Sequence, residues 1–278
     1  MAVDKSFLIR SIQKKESFIV AYCAYTNMPL VVCDPETYND QVYMFDTEAL
    51  LQEFAKPYIE KKILLRGVKY ENKNFLTFFS MLFSIGINEL VFVSENGREL
   101  IELEELVRRP DYSSLPKEKQ PVSNPELQLT GLYFMQEASR PVPNEQKEGM
   151  VDLEEELSAN LLKAKYIVAI ELLEGPESDV EKLKNRKYRL PILKNKNEEI
   201  LQPLFTDPIE FSKFNRQQKL KALAMPFSGL KKVLIKESKG FLLNPGGFHI
   251  VMPAGLLDGL TERFGVEESV ASGQESQE

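Results

Sequence analysis

The chain holds 278 residues, 43% hydrophobic and 28% charged, a balance that excludes a disordered chain and suits a globular one. Its net charge is −7, and setting aside the four glutamates after position 265 leaves −3, so the body offers no basic face of the kind nucleic acid demands. No apolar run is long enough to cross a membrane, the start MAVDKSFLIR is too poor in apolar residues for a signal peptide, and two cysteines make no disulfide framework, so a cytoplasmic protein is expected.

The length favours two domains. Residues 1–109 are expected to form a first module that opens with a helix and the apolar strand of FIVAYCAY. Farther on, Phe75, Phe78, Phe79, Leu82 and Phe83 fall at the spacing of a helix packed on a sheet. Met81 and Ile85 add apolar surface outside that stripe. Phe75, Phe78, Met81 and Ile85 are therefore candidates for a surface covered by a protein partner or a second copy of the chain. Ser94-Glu95-Asn96-Gly97 then reads as a hairpin turn.

Residues 110–151 carry Pro110, Pro116, Pro121, Pro125, Pro141 and Pro143 and read as a linker, because proline breaks both helix and central strand. Inside it LTGLYFMQEAS, 129–139, is too apolar to stay free and is expected to dock as a short extra strand. Residues 152–265 form the second module, with strands near 166–172, 188–193 and 201–205. Thr206-Asp207-Pro208 announces a helix: a side-chain oxygen caps free amides, proline suits the first turn, and Glu210 completes a capping-box spacing. Asn244-Pro245-Gly246-Gly247 reads as the turn of a second hairpin, whose return strand alternates Phe248, His249, Ile250 and Val251. The basic run KLKNRKYR, 182–189, reads as a solvated loop, and the acidic tail 266–278 as disordered.

The modules share an ordered series of matches. Phe18-Ile19-Val20-Ala21 meets Tyr166-Ile167-Val168-Ala169, Phe45 meets Phe205, Val91-Phe92-Val93 meets Phe241-Leu242-Leu243, and Leu100 meets Ile250. The expected fold class is α+β: two tandem, divergent copies of one module, each running helix, three strands, helix, strand, helix, hairpin around a mixed sheet.

No phosphate-cradling G-x-x-x-x-G-K-S/T, dinucleotide G-x-G-x-x-G, zinc H-E-x-x-H or nucleophile G-x-S-x-G occurs. Cys23 sits in an apolar strand, and Cys33 beside Asp34 would have its thiol pKa raised, the wrong direction for a nucleophile. Glu99, Glu102, Glu104 and Glu105 read as a solvated strand end and helix start. His249 reads as a residue on the less buried face of its strand. No catalytic residue, metal ligand or cofactor is assigned. Asn244, Gly246, Gly247 and His249 are kept as candidates for a small-molecule site, amino acid or other metabolite, between the two copies.

From YRLP at 188–191 through LQPLFTDPIEFSKF and KALAMPFSGL to GFLLNPGGFHIVMP, the second copy resembles the SseB family, named for an enhanced serine sensitivity phenotype. The similarity spans residues 160–260. VYMFDTEALLQEF in the first copy, 4–108, looks like a weaker relative that lacks the Pro after the cap and the Asn-Pro-Gly turn. What the resemblance implies is an α+β fold of bacterial cytoplasmic proteins with no established enzymatic activity, cofactor or catalytic residues. A non-enzymatic interaction or regulatory protein linked to serine sensitivity is thus the expected function.

Overall fold

After a short helix, α1 (Lys5–Lys14), the chain enters β1 (Ser17–Cys23), which is apolar without alternation because both of its faces are buried. Phe18, Val20 and Tyr22 join one core, while Ile19, Ala21 and Cys23 join another on the opposite face. The structure is a computed structural model that describes residues 5–173 and 188–264. The basic run up to residue 187 and the acidic tail lie outside the described residues.

Short strands β2 (Met28–Pro29) and β3 (Val31–Cys33) lead to β4 (Asp40–Phe45). Helix α2 (Glu48–Glu60) follows, capped by Thr47, whose hydroxyl accepts the Leu50 amide. Then come β5 (Leu65–Glu71), α3 (Phe75–Ser84), and the hairpin of β6 (Glu89–Ser94) and β7 (Gly97–Glu102), closed by α4 (Leu103–Leu106). In this seven-stranded sheet β5 runs antiparallel along the full length of β1, β4 lies on the other side of β1, and β6 joins β4 in parallel.

Two helices, α5 (Pro125–Ala138) and α6 (Met150–Lys163), precede the second sheet. It contains β8 (Lys165–Leu172), β9 (Tyr188–Arg189), β10 (Leu193–Lys194), β11 (Ile200–Phe205), β12 (Lys221–Pro226), β13 (Gly240–Leu243) and β14 (Ile250–Pro253). Helices α7 (Pro208–Phe214), α8 (Leu230–Val233) and α9 (Ala254–Phe264) complete the chain. Again the first strand is flanked by an antiparallel neighbour, β12, which pairs with it from Lys165 to Ile170, and by β11, which takes β13 in parallel.

The pairing registers make the internal matches concrete. Ile19 faces Phe45 as Ile167 faces Phe205, so these residues are equivalent as expected. The later matches need a correction of one residue: Met44 faces Phe92 and Leu204 faces Leu243, and Val91 faces Leu100 as Leu242 faces Val251. Leu100 therefore corresponds to Val251, not Ile250. In a strand a slip of one residue exchanges the faces, and Leu100 and Val251 are indeed both exposed.

The segment 129–139 is helix, not the extra strand expected. Pro125 occupies the first turn, where a missing amide proton costs nothing, and the helix buries Leu127, Gln128, Thr130, Leu132 and Gln136. Its apolar residues are spread around the axis because it lies between the halves, and a helix enclosed on several sides carries no single stripe. Leu127 and Leu132 join side chains of both sheets, including Phe18, Phe92 and Phe241, and Phe248 of the second hairpin turn in one contiguous core. On the far faces, α2 covers the first sheet with Leu51, Phe54 and Tyr58, and α7 covers the second with Phe211 and Phe214.

Candidate functional site

The residues singled out around the second helix cap and the second hairpin turn do meet, and they meet on α5. Asp207 lies beyond β11 in extended backbone, and its Oδ1 accepts the amides of Ile209 and Glu210 at 2.7 and 3.0 Å, which caps α7. Its Oδ2 accepts the Thr206 hydroxyl at 2.8 Å and the Gln128 side-chain amide from α5.

Asn244 is fully buried with a φ of +49°, a left-handed conformation that asparagine tolerates. Its side-chain oxygen accepts the Thr206 amide at 3.0 Å, while its nitrogen donates to the Thr206 hydroxyl at 2.9 Å and to Gln128 at 3.4 Å. Asn124 donates to the carbonyls of Lys165 and Thr206. Thr206, Asp207, Asn244, Asn124 and Gln128 thus form one closed network, and each polar atom meets part of the chain itself.

Glu210 departs from the capping-box expectation. One carboxylate oxygen pairs with Lys213, and Oε2, buried, finds no partner, so neither oxygen returns to the backbone at the cap. Burial pushes its carboxyl above the usual carboxylate range, Lys213 pulls it back, and Asp207 adds to the rise. Gly247 presses directly against it: a Cβ there would lie 2.9 Å from Oε2. Space, and not an unusual backbone angle, is what this glycine supplies, because the positive φ values of the turn belong to Asn244 and His249.

His249 is not on a strand. It sits in the turn before β14 with φ +46°, exposed, with its amide bonded to the Asn244 carbonyl at 3.2 Å and Nδ1 3.1 Å from the Gly247 carbonyl. Gly246 is exposed as well, so of the four ligand candidates two face water, Asn244 is part of the joint, and Gly247 is buried against Glu210. The space between the copies, where the alternative reading put a small-molecule site, is occupied by α5.

The other half of α5 grips the first sheet. Gln136 donates to the Val31 carbonyl at 3.0 Å and accepts the Val31 amide at 2.9 Å, the pairing a neighbouring strand would make. Tyr133 donates to Asp40 at 2.6 Å, and Arg140 bonds the Lys61 carbonyl at 2.7 Å and pairs with Glu137. Sequence reading missed these residues; the buried glutamines of α5 were the available signal, but only the two flanking sheets give them meaning.

The four partner-surface candidates need a correction. Phe75, Phe78 and Ile85 are buried in the chain's own core, and Met81, half-buried, packs against it. Leu76, 67% exposed, is the apolar residue that α3 leaves outside. Cys23 and Cys33 are unpaired; partial desolvation, with Asp40 and then Asp34, raises the Cys33 thiol. Glu102 and Glu105 close a capping box on α4, Glu105 pairs with Lys5, and Glu104 pairs with Arg109. Among the described residues no cluster of His, Cys, Asp and Glu could hold a metal, and no helix is long and apolar enough to cross a membrane. No protein-family model, curated protein or solved structure matches this chain.

Proposed function

We propose that the chain is an SseB-like bacterial cytoplasmic protein that acts without catalysis, by binding other proteins, in a regulatory role linked to serine sensitivity. What supports this reading most is the use made of the residues that carry the resemblance. Thr206, Asp207 and Asn244, polar positions of FTDPIEF and LNPGG, are spent on a closed joint between the second sheet and α5, and Gly247 is packed against Glu210 of α7. The reactive side chains lie apart from one another: Cys23 in the core of the first sheet, Cys33 with a raised thiol pKa, and His249 on an exposed turn of the second half.

The test combines light scattering with affinity capture from lysate, using the intact chain and a Cys23→Ala, Cys33→Ala, His249→Ala triple variant. Specific partners retained equally by both proteins are expected. A monomer that enriches no protein over a control of matched charge defeats the reading, and so does loss of function in the triple variant while it stays folded.

A further inference from the structure

The two sheets differ at the outer edge strand that flanks the first strand of each. In the first sheet β5 pairs with β1 along one side, and among the described residues no strand pairs with its other side. A row of backbone amides and carbonyls is thereby left open to an incoming strand. Beside it, α2 and β5 enclose a groove of about 430 Å³. At one end stand Leu65, Ala55 and Ile59, the last 57% exposed, and at the other Lys69 faces the helix wall at Gln52 and Glu48. Between them Gly67 lets Leu51 and Ile19 close over the strand, since a Cβ would lie 2.7 Å from the Leu51 side chain and 2.9 Å from that of Ile19.

Leu65, Gly67 and Lys69 share the groove face of β5, because alternate residues of a strand point the same way. Lys69 makes no ion pair among the described residues, whereas the next acidic residue on that face, Glu71, is taken by Lys73. A lysine on an edge strand ordinarily guards against indiscriminate pairing. Opposite an acidic residue, the same lysine becomes a selector. Pairing two β5 strands antiparallel about Val68 would set two Lys69 side chains diagonally across the seam, which disfavours a second copy in that register.

In the second half β12 pairs only with β8 among the described residues and so has an open edge too, but its residues are unlike those of β5. Ala222 and Ala224 of β12 stand where Gly67 and Lys69 stand, Pro226 ends that strand without an amide proton, and α7 is too short to wall a groove.

We propose that the groove between α2 and the free edge of β5 binds an extended peptide segment of a partner protein. It adds antiparallel to β5, with an acidic residue opposite Lys69 followed at alternate positions by aliphatic residues opposite Gly67 and Leu65. Main-chain hydrogen bonds to the edge supply affinity, and the groove selects the side chains. The assignment rests on the protein-binding reading above and names its surface and the chemistry of its partner.

The probe is a pool of heptapeptides, acetylated and amidated, with Asp or Glu at the second position, Leu, Ile, Val or Phe at the fourth and sixth, and Ser or Thr elsewhere. Titrated into the isotopically labelled full chain, the pool is expected to shift amide resonances of β5 and α2 saturably. N-methylation of alternate peptide amides should abolish those shifts. Lys69→Glu should weaken binding about fivefold and be rescued by Lys at the second peptide position, and Ile59→Asp should weaken it about tenfold. Both residues are exposed, so unchanged melting curves verify that the variants fold. Absence of saturable shifts, shifts elsewhere, or binding indifferent to N-methylation overturns the groove. Failure of the peptides alongside partners captured from lysate by wild type and Ile59→Asp alike removes this surface while sparing the protein-binding reading.

Discussion

In the first half α2 runs 13 residues across the outer face of its sheet, whereas α7 in the second half runs seven. The first helix is tied down by aromatic packing, Phe54 against Tyr43, Phe45 and Tyr58, under a single Thr47 cap. The shorter helix cannot bury as much, and its start is instead wired by Asp207 into α5 and the Asn244 turn. A duplicated module can thus hold equivalent helices by unlike means: apolar area where the helix is long, a buried hydrogen-bond joint where it is short. The first solution leaves an open groove at the sheet edge.

The contrast is broken most severely at the two caps. Asp207→Ala removes a cap and strands the buried donors of Gln128 and Thr206, which should cost about 3 kcal/mol, against about 1 kcal/mol for Thr47→Ala. Urea unfolding of the two variants measures the gap, and equal losses would mean that the halves are capped alike. Next in size is Gly247→Ala, expected to cost about 2 kcal/mol through the clash with Glu210. In a Glu210→Ala background most of that loss should vanish, and a double-mutant cycle with no coupling would deny the contact.

Smaller still is a pH effect confined to the second half. A carboxyl whose folded-state pKa lies above its unfolded value holds its proton more tightly when folded. The stability it confers is complete below the unfolded value of about 4.3 and is lost as pH rises through the folded one. Wild type should therefore lose stability relative to Glu210→Gln across that rise. A difference that stays flat with pH would place Glu210 in a more solvated setting than the one described.

Much of the strand content was legible in the residues. The unbroken apolar run at 18–23 announces a strand buried on both faces, and Thr206-Asp207-Pro208 marks the start of α7 from local chemistry alone. Periodicity failed at α5, since a helix gripped by two sheets shows no stripe, and its prolines at 121 and 125 suggested a linker. It failed again in the hairpins, where a shift of one residue is invisible to similarity but reverses the faces. The burial of Phe75, Phe78 and Ile85 could not be read either, because an apolar helix face looks the same whether its own chain or another covers it.

The residues by themselves determined most local elements and the Asp207 cap, because those depend on backbone preference and on neighbours a few positions away. Among the described residues, however, each half places four strands, not the expected three, before its second helix, and the single strand expected over 188–193 is two, β9 on β8 and β10 on β11. Only the tertiary structure decided that α5 is the joint between the sheets, that Glu210 and Gly247 touch, and that β5 keeps an open edge beside α2. Each of these brings together groups distant along the chain, such as Gln136 with Val31 or Gln128 with Asp207. Whether a polar side chain is satisfied depends on that company and not on its place in the sequence.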